Sequence, residues 1–245
     1  FGNGVVTNSL LYNSWVTNLD GNPTSFTWTL TKNGCNASDD VTITNNSVIA
    51  TATQIRSTCD GTLTLDGNNP SPGTGLWTKV VPAANGTITY TSMNNAFVSD
   101  LSSGNTGLIW TVYSSVGGCS ASVIVTVTNN EFDLSAGLDI ADCTAEFQLD
   151  GDDPSPGTGY WTVVGGSGSF DDSTDPQTWV RGLNYGDNIF AWNVTRNGCI
   201  KSDQVTLTNN LPSPANIVGP ANTETCDGTI TLSAQNPVEG NGYWD

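Results

Sequence analysis

Histidine is missing from the sequence altogether, and only 6 of its 245 residues are Lys or Arg. The first absence removes Ser–His–Asp and Cys–His catalysis and every histidine-based zinc site. The second, set against 23 Asp and Glu, gives a formal net charge of −17. Such a surface repels phosphate backbones, so nucleic acid is not an expected partner. No apolar run approaches the ~18 residues of a membrane-spanning helix, so no membrane insertion is expected. No secretory leader pattern is visible either, and the expectation is a mature chain or an internal stretch of a longer one. What the sequence does hold is eight Trp, 27 Gly and many β-branched residues. That is material for cores and turns, not for disorder.

The main fact is an internal repeat. The phrase LDGNNPSPGTGLW (Leu65–Trp77) recurs as LDGDDPSPGTGYW (Leu149–Trp161) and, blurred, as LSAQNPVEGNGYW (Leu232–Trp244). Cys59, Cys143 and Cys226 each precede the closing Trp by 18 residues. A second group reads Leu19…Trp28, Leu101…Trp110 and Leu183…Trp192, always nine apart. NGC or GGC follows, ending at Cys35, Cys119 and Cys199, and ten residues later comes an Asn-Asn pair. The unit is about 80 residues long. Cutting at the Asn-Asn pairs gives the C-terminal part of a repeat at 1–48, whole repeats at 49–130 and 131–210, and the N-terminal part of a repeat at 211–245.

Each unit reads as short strands broken by turn chemistry. Phe26, Trp28 and Leu30 alternate with Thr27 and Thr29, and the matching sets Leu108, Trp110, Val112 and Phe190, Trp192, Val194 follow the same spacing. Period two puts each set on one face of a strand. Asn33–Gly34, Gly117–Gly118 and Asn197–Gly198 then mark tight hairpins. No segment sustains a 3.6 period. Six or seven strands in ~80 residues, with one Trp mid-repeat and one on a late strand, predict an immunoglobulin-like sandwich. The expected fold class is therefore all-β: tandem sandwich repeats forming an elongated rod, with Trp28, Trp77, Trp110, Trp161, Trp192 and Trp244 in the cores.

Six cysteines in an acidic, Lys-poor chain fit an oxidising, extracellular setting, and the CxxC zinc spacing is absent. Three pairings are open. Pairing within repeats gives Cys59–Cys119 and Cys143–Cys199 and leaves Cys35 and Cys226 to outside partners; it is the simplest by economy. Pairing of neighbours gives Cys35–Cys59, Cys119–Cys143 and Cys199–Cys226. Strand geometry places the corner and hairpin cysteines of one sandwich at opposite poles, which instead brings Cys59 toward Cys199.

The string C…L-x-G-x-x-P-x-x-G-x-G-x-W, followed by G-L-x-x-G-x-N-x-F-x-W-x-V-x-x-N-G-C, is best seen over Cys143–Asn210. It resembles the immunoglobulin/PKD-like repeats of very large surface proteins of gliding bacteria that use type IX secretion, including SprB-like adhesins. The resemblance implies export, display at the cell surface in long arrays, and roles in adhesion, gliding or biofilm. It supplies no catalytic residue. Asp100-Leu101 with GGC, and LSAQNP, depart from it.

Several features invite a site. Asp66, Asp150, Asp152 and Asp153 are oxygen ligands of the kind calcium takes. The spacing is not that of an EF-hand, and the third copy holds Ser233, Gln235 and Asn236 instead; turn chemistry is the expected role. Gly-Thr-Gly lacks the Lys and helix of a phosphate loop. Trp15, Phe97 and Trp179 share one repeat position and could stack on sugar rings, although core or junction packing is the commoner fate. Asp39–Asp40 and Asp171–Asp172 are sequence neighbours, not carboxyls facing across a glycosidase cleft. Asp172-Ser173-Thr174 matches a short O-glycosylation signal, with a solvated turn as the plainer reading.

The expectation is a non-enzymatic, extracellular stalk or filament segment of a bacterial adhesin, with no cofactor. Its partners are further repeats of the same chain or identical subunits, with surface glycans as a further class. The alternatives are a self-assembling filament or sheath subunit joined by head-to-tail strand complementation, and a carbohydrate-binding array.

Overall fold

The computed structural model describes residues 2–81, 85–219 and 223–245. All regular structure among them is strand, and the chain divides into two compact units, Phe1–Glu131 and Phe132–Asp245.

The first unit opens with two short ribbons. β1 (Val5–Val6) pairs with β2 (Val16–Thr17), and β3 (Thr24–Lys32) pairs with β4 (Cys35–Ile43). A seven-stranded sandwich follows. Its larger sheet has the order β5 (Ile55–Thr58), β11 (Ser120–Asn129), β10 (Gly104–Tyr113), β7 (Thr74–Lys79). Its smaller sheet has the order β6 (Leu63–Thr64), β9 (Phe97–Ser99), β8 (Thr87–Thr89). β5 runs parallel to β11 and every other pairing is antiparallel.

The second unit repeats this plan. β12 (Ile140–Asp142), β18 (Cys199–Asn209), β17 (Gly186–Arg196) and β14 (Thr158–Gly165) form one sheet. β13 (Glu146–Gln148), β16 (Trp179–Arg181) and β15 (Ser169–Phe170) form the other. Four strands facing three, with the first strand alongside the last, make each whole repeat an immunoglobulin-like sandwich.

The cores follow the period-two pattern. On β10, Thr106, Leu108, Trp110 and Val112 are buried and alternate with less buried neighbours. On β17, Asn188, Phe190, Trp192 and Val194 do the same. Val98 and Val180, the central residues of β9 and β16, close the cores from the facing sheet. The hairpins turn as the dipeptides dictate. Asn33 and Gly34 have φ of 51° and 82°, and Asn197 and Gly198 have 51° and 81°, the two left-handed residues of a tight primed turn.

Two of the six expected core tryptophans are not buried. Trp28 is 43% exposed and Trp244 is 52% exposed. Trp28 lies on the β3–β4 ribbon, which pairs with no third strand among the described residues and so lacks the neighbour that β7 gives β10. The described residues of 211–245 carry one isolated bridge, Ile217↔Ala234. Alternation thus marks which face would be buried; burial itself needs the neighbouring strands.

Candidate functional site at the repeated corner

The repeated phrase joins the second and third strands of each sandwich. Two of the three glycines in each full copy lie under a tryptophan, and the third, Gly73 or Gly157, lies against the carbonyl of Tyr113 or Thr195. A Cβ on Gly67 would meet the Trp110 ring at 2.7 Å, and one on Gly151 would meet Trp161 at 2.9 Å and Trp192 at 3.1 Å. Gly75 and Gly159 are covered by the same rings, Trp110 and Trp192. The tryptophan that ends the phrase packs on the one that crosses it. Trp77 and Trp110 are cross-strand partners with ring centroids 5.1 Å apart, and Trp161 and Trp192 are at 5.0 Å. All four indole N–H groups donate to the loops: Trp77 to the Asn94 carbonyl and Trp161 to the Asp175 carbonyl at 3.2 Å, Trp110 to Asn68 Oδ1 and Trp192 to the Asp152 carbonyl at 3.0 Å.

The aspartates of the phrase do not converge. Asp150 accepts from Gln177 Nε2 at 3.1 Å, Asp152 from the Ser135 amide at 2.7 Å, and Asp153 from the Ser155 amide at 2.9 Å. Asp66 accepts from the Thr53 hydroxyl and pairs with Arg56 at 3.1 Å. Burial opposes its ionisation, but these Thr53 and Arg56 contacts outweigh it and hold the carboxyl below its usual range. Among the described residues no three His, Cys, Asp or Glu side chains gather to hold a metal. Each carboxylate is turned to a different backbone or side-chain donor.

The amide-containing copies show what these positions do. Asn68 replaces Asp152 and accepts from the Thr51 amide at 2.8 Å, while its own N–H donates to Thr51 at 2.9 Å. Asp152 N–H donates to Ser135 in the same way at 2.9 Å. In the third copy Gln235 N–H donates to the Asn216 carbonyl at 2.8 Å. The position straps the incoming first strand to the corner, and an oxygen acceptor is all it needs. Asp172 is likewise a turn former: the Thr174 amide and then its hydroxyl lower its pKa.

The Asn-Asn pairs carry a second device. Asn129 Nδ2 donates to the Leu101 carbonyl at 2.7 Å, and its Oδ1 accepts from the Glu131 amide at 3.0 Å. Asn209 makes the same bonds to Leu183 and Leu211, at 3.1 and 2.9 Å. Asn45 makes them to Leu19 and Ser47, at 2.9 and 3.0 Å. The first Asn of each pair is a latch between the leucine corner and the segment leaving the repeat. Its recurrence was visible in the sequence, but its partners were not.

Phe97 and Trp179 open β9 and β16 and are each 41% exposed; Trp15 is 79% exposed. Arg181, ion-paired with Asp171 and Glu146, lies 5.5 Å from the Trp179 ring centroid. These aromatics occur one per repeat.

Cys59 and Cys199 are disulfide-bonded, whereas Cys35, Cys119, Cys143 and Cys226 are free. Both the within-repeat and the neighbour pairings are thereby corrected, because each requires Cys119 and Cys143 to be oxidised. The physical reason is separation: within one sandwich the corner cysteine and the hairpin cysteine occupy opposite ends of the long strands, as with Cys119 beside Ser120 and Cys59 beside Asn129's partner Thr58.

No family model and no curated protein matches the chain. Some solved structures are similar to it. An endo-fucoidan hydrolase of glycoside hydrolase family 107 is 12% identical with a TM-score of 0.27, over 84% of this chain and 37% of its own. The chain thus spans little more than a third of that hydrolase. An I-band fragment of titin is 14% identical with a TM-score of 0.30, over 68% of this chain and 66% of its own. A SusE-like, surface-located polysaccharide-binding protein from the Bacteroides thetaiotaomicron heparin utilisation locus is 8% identical with a TM-score of 0.35, over 69% of this chain and 34% of its own. The likeness is one of fold alone.

Proposed function

We propose that the chain is a structural segment of an extracellular surface protein, a non-enzymatic stalk that spaces an adhesive tip from the cell. One observation carries this reading. The recurring glycines, aspartates and asparagines of the corner and exit are committed to scaffolding: Gly67, Gly75, Gly151 and Gly159 to the tryptophans lying on them, aspartates to straps and turns, and the first Asn of each pair to a latch. The oxidised Cys59 and Cys199 support an oxidising, extracellular setting. The finer assignment, to a SprB-like adhesin exported by type IX secretion and used in gliding or biofilm, rests on the motif resemblance. Deleting residues 131–210 from the surface-displayed protein tests the spacer role. Antibody labelling of intact cells should persist while adhesion weakens. Full adhesion by the shortened protein, or no labelling of intact cells, would sink it.

A second reading has its own observation. Phe97 and Trp179 stay exposed at one repeat position, as sugar-stacking platforms would. A glycan array probed with the wild-type chain and with Trp179→Ala decides it: binding lost in the variant supports a carbohydrate-binding array, and silence of the wild type removes it.

A further inference from the structure

Of the five tryptophans in residues 49–210, four are buried in the two cores and Trp179 is 41% exposed. It opens β16, the middle strand of the three-stranded sheet of the second whole repeat, and stands on the outer face while Val180 enters the core. Register sets its neighbours. Gln148 lies opposite it on β13, and the Asp171 amide, just past β15, donates to its carbonyl at 2.9 Å. One step along the same face, Glu146 and Ser169 flank Arg181.

Arg181 is fixed in this row. Its Nε and Nη2 donate to the two oxygens of Asp171 at 3.0 and 3.1 Å, its Nη1 donates to Glu146, and its guanidinium lies 5.5 Å from the Trp179 ring centroid. A planar fork held by two carboxylates thus holds the indole in turn. Gln148 Nε2 donates to the Gln177 carbonyl at 3.2 Å, and its Oε1 accepts no hydrogen bond among the described residues. The first whole repeat has no such assembly: beside Phe97, Ser99 stands where Arg181 does and Thr89 where Asp171 does.

We infer that the Trp179 face binds a neutral polysaccharide, with the indole stacked on the C–H side of a hexopyranose and Gln148 Oε1 accepting from a sugar hydroxyl. The inference rests on the carbohydrate-binding reading and adds the charge class of the ligand. An anionic glycan needs an unmatched cation, and the guanidinium of this face is already matched by two carboxylates. One cation against two anions leaves the face negative, on a chain of net charge −17, so sulfates and uronates are repelled. An ammonium group would compete for the ring and the carboxylates that Arg181 occupies. A polyol meets neither obstacle, because stacking and a hydroxyl donated to an amide oxygen need no net charge. Arg181 is a positioning residue, which orders the platform before the ligand arrives.

The test is equilibrium binding of the whole chain to a β-glucan, a mannan and a xyloglucan, and to heparin and alginate. Each is measured in low salt and in about 0.5 M NaCl, where exposed charges are screened within a few ångströms. At least one neutral polysaccharide is expected to bind with an affinity that salt does not move, and heparin and alginate are expected not to bind. Trp179→Ala should weaken binding about tenfold or more. Trp179→Tyr should retain it, Phe97→Ala should leave it unchanged, and Arg181→Met should weaken it several-fold. Melting temperatures within error of wild type show that the variants fold. Heparin or alginate bound as tightly as the neutral polymers, or full binding by Trp179→Ala, would overturn the inference and leave the carbohydrate-binding reading standing. Neutral-polymer binding that collapses in high salt would do the same. Binding of none of the five polysaccharides would overturn both.

Discussion

Trp192 lies flat enough on its cross-strand partner Trp161 to bring the ring centroids within 5.0 Å at an interplanar angle of 34°, and Trp110 lies on Trp77 at 5.1 Å and 33°. Two sandwiches with different surface residues have built the same centre. Each pair buries two of the largest side chains available and rests on two glycines. The first prediction follows. Trp110→Ala is expected to destabilise its repeat by about 3–5 kcal/mol through the cavity it leaves. Gly67→Ala is expected to cost about 1–3 kcal/mol, because a Cβ 2.7 Å from a buried indole cannot be accommodated by a small shift. Denaturant unfolding followed by tryptophan fluorescence checks both. A Gly67→Ala protein as stable as wild type would show that the ring is free to move.

The latch asparagines should be intolerant even of an isosteric change. Asn209→Asp keeps the acceptor for the Leu211 amide but replaces the donor to the Leu183 carbonyl with a second oxygen. Since Asn209 is buried, the expected loss is about 1–3 kcal/mol, and Asn209→Ala should lose a similar amount. Thermal melts of both variants against wild type measure it. Losses within error would mean that water replaces the latch.

At the strap position, by contrast, charge should be irrelevant. Asp152→Asn is expected to change stability by less than about 0.5 kcal/mol, since Asn68 already makes the equivalent bond in the preceding repeat. Asp152→Ala should cost about 1–2 kcal/mol by orphaning the Ser135 amide. Addition of millimolar calcium should leave the melting temperature of the wild type unmoved. A calcium-dependent rise that vanishes in Asp152→Asn would restore a metal role to the corner.

Acid should act in two opposing stages. Falling pH first reduces the self-repulsion of a chain of net charge −17. Five carboxyls then lose their native partners, Asp20 first among them in the chain, held below its usual range by the Asn22 and Asn3 amides. Thr58 and Thr62 hold Asp60 below its usual range, the Thr53 and Arg56 contacts hold Asp66 there against its burial, and Thr174 holds Asp172 there. The Thr225 hydroxyl and Thr229 hold Asp227 at about 2. A depressed native pKa contributes stability above the unfolded value of about 3.9, and that stability is lost as pH falls through the native one. The melting temperature should therefore hold or rise from pH 7 to about pH 4.5 and then drop toward about pH 2. A melting temperature that already falls by pH 5 would contradict this order of events.

Much of this architecture was legible because it obeys short-range rules. Alternation on β10 and β17, and the Asn-Gly dipeptide before Cys199, need no knowledge of the rest of the chain. What could not be read were relations between distant residues. The sequence shows Gly67 and Trp110 recurring, but not that one lies on the other. It shows Asn129 and Leu101 recurring, but not the bond between them. Trp28 obeys the same alternation as Trp110 and is nevertheless exposed, because a pattern names the inward face without guaranteeing that anything covers it. Among the cysteine pairings left open, economy favoured the one within a repeat, whereas strand length, which keeps the two kinds at opposite ends of one sandwich, favoured Cys59 with Cys199, the two that are oxidised.

The asparagine latch has a further implication for how such a chain changes over generations. The bond that receives the Leu101 carbonyl and the bond that steers the Glu131 amide belong to one side chain, on the last strand of the repeat that is ending. The first step of the outgoing backbone is therefore set by a side chain of the departing module. A duplicated stretch of coding sequence brings that step with it.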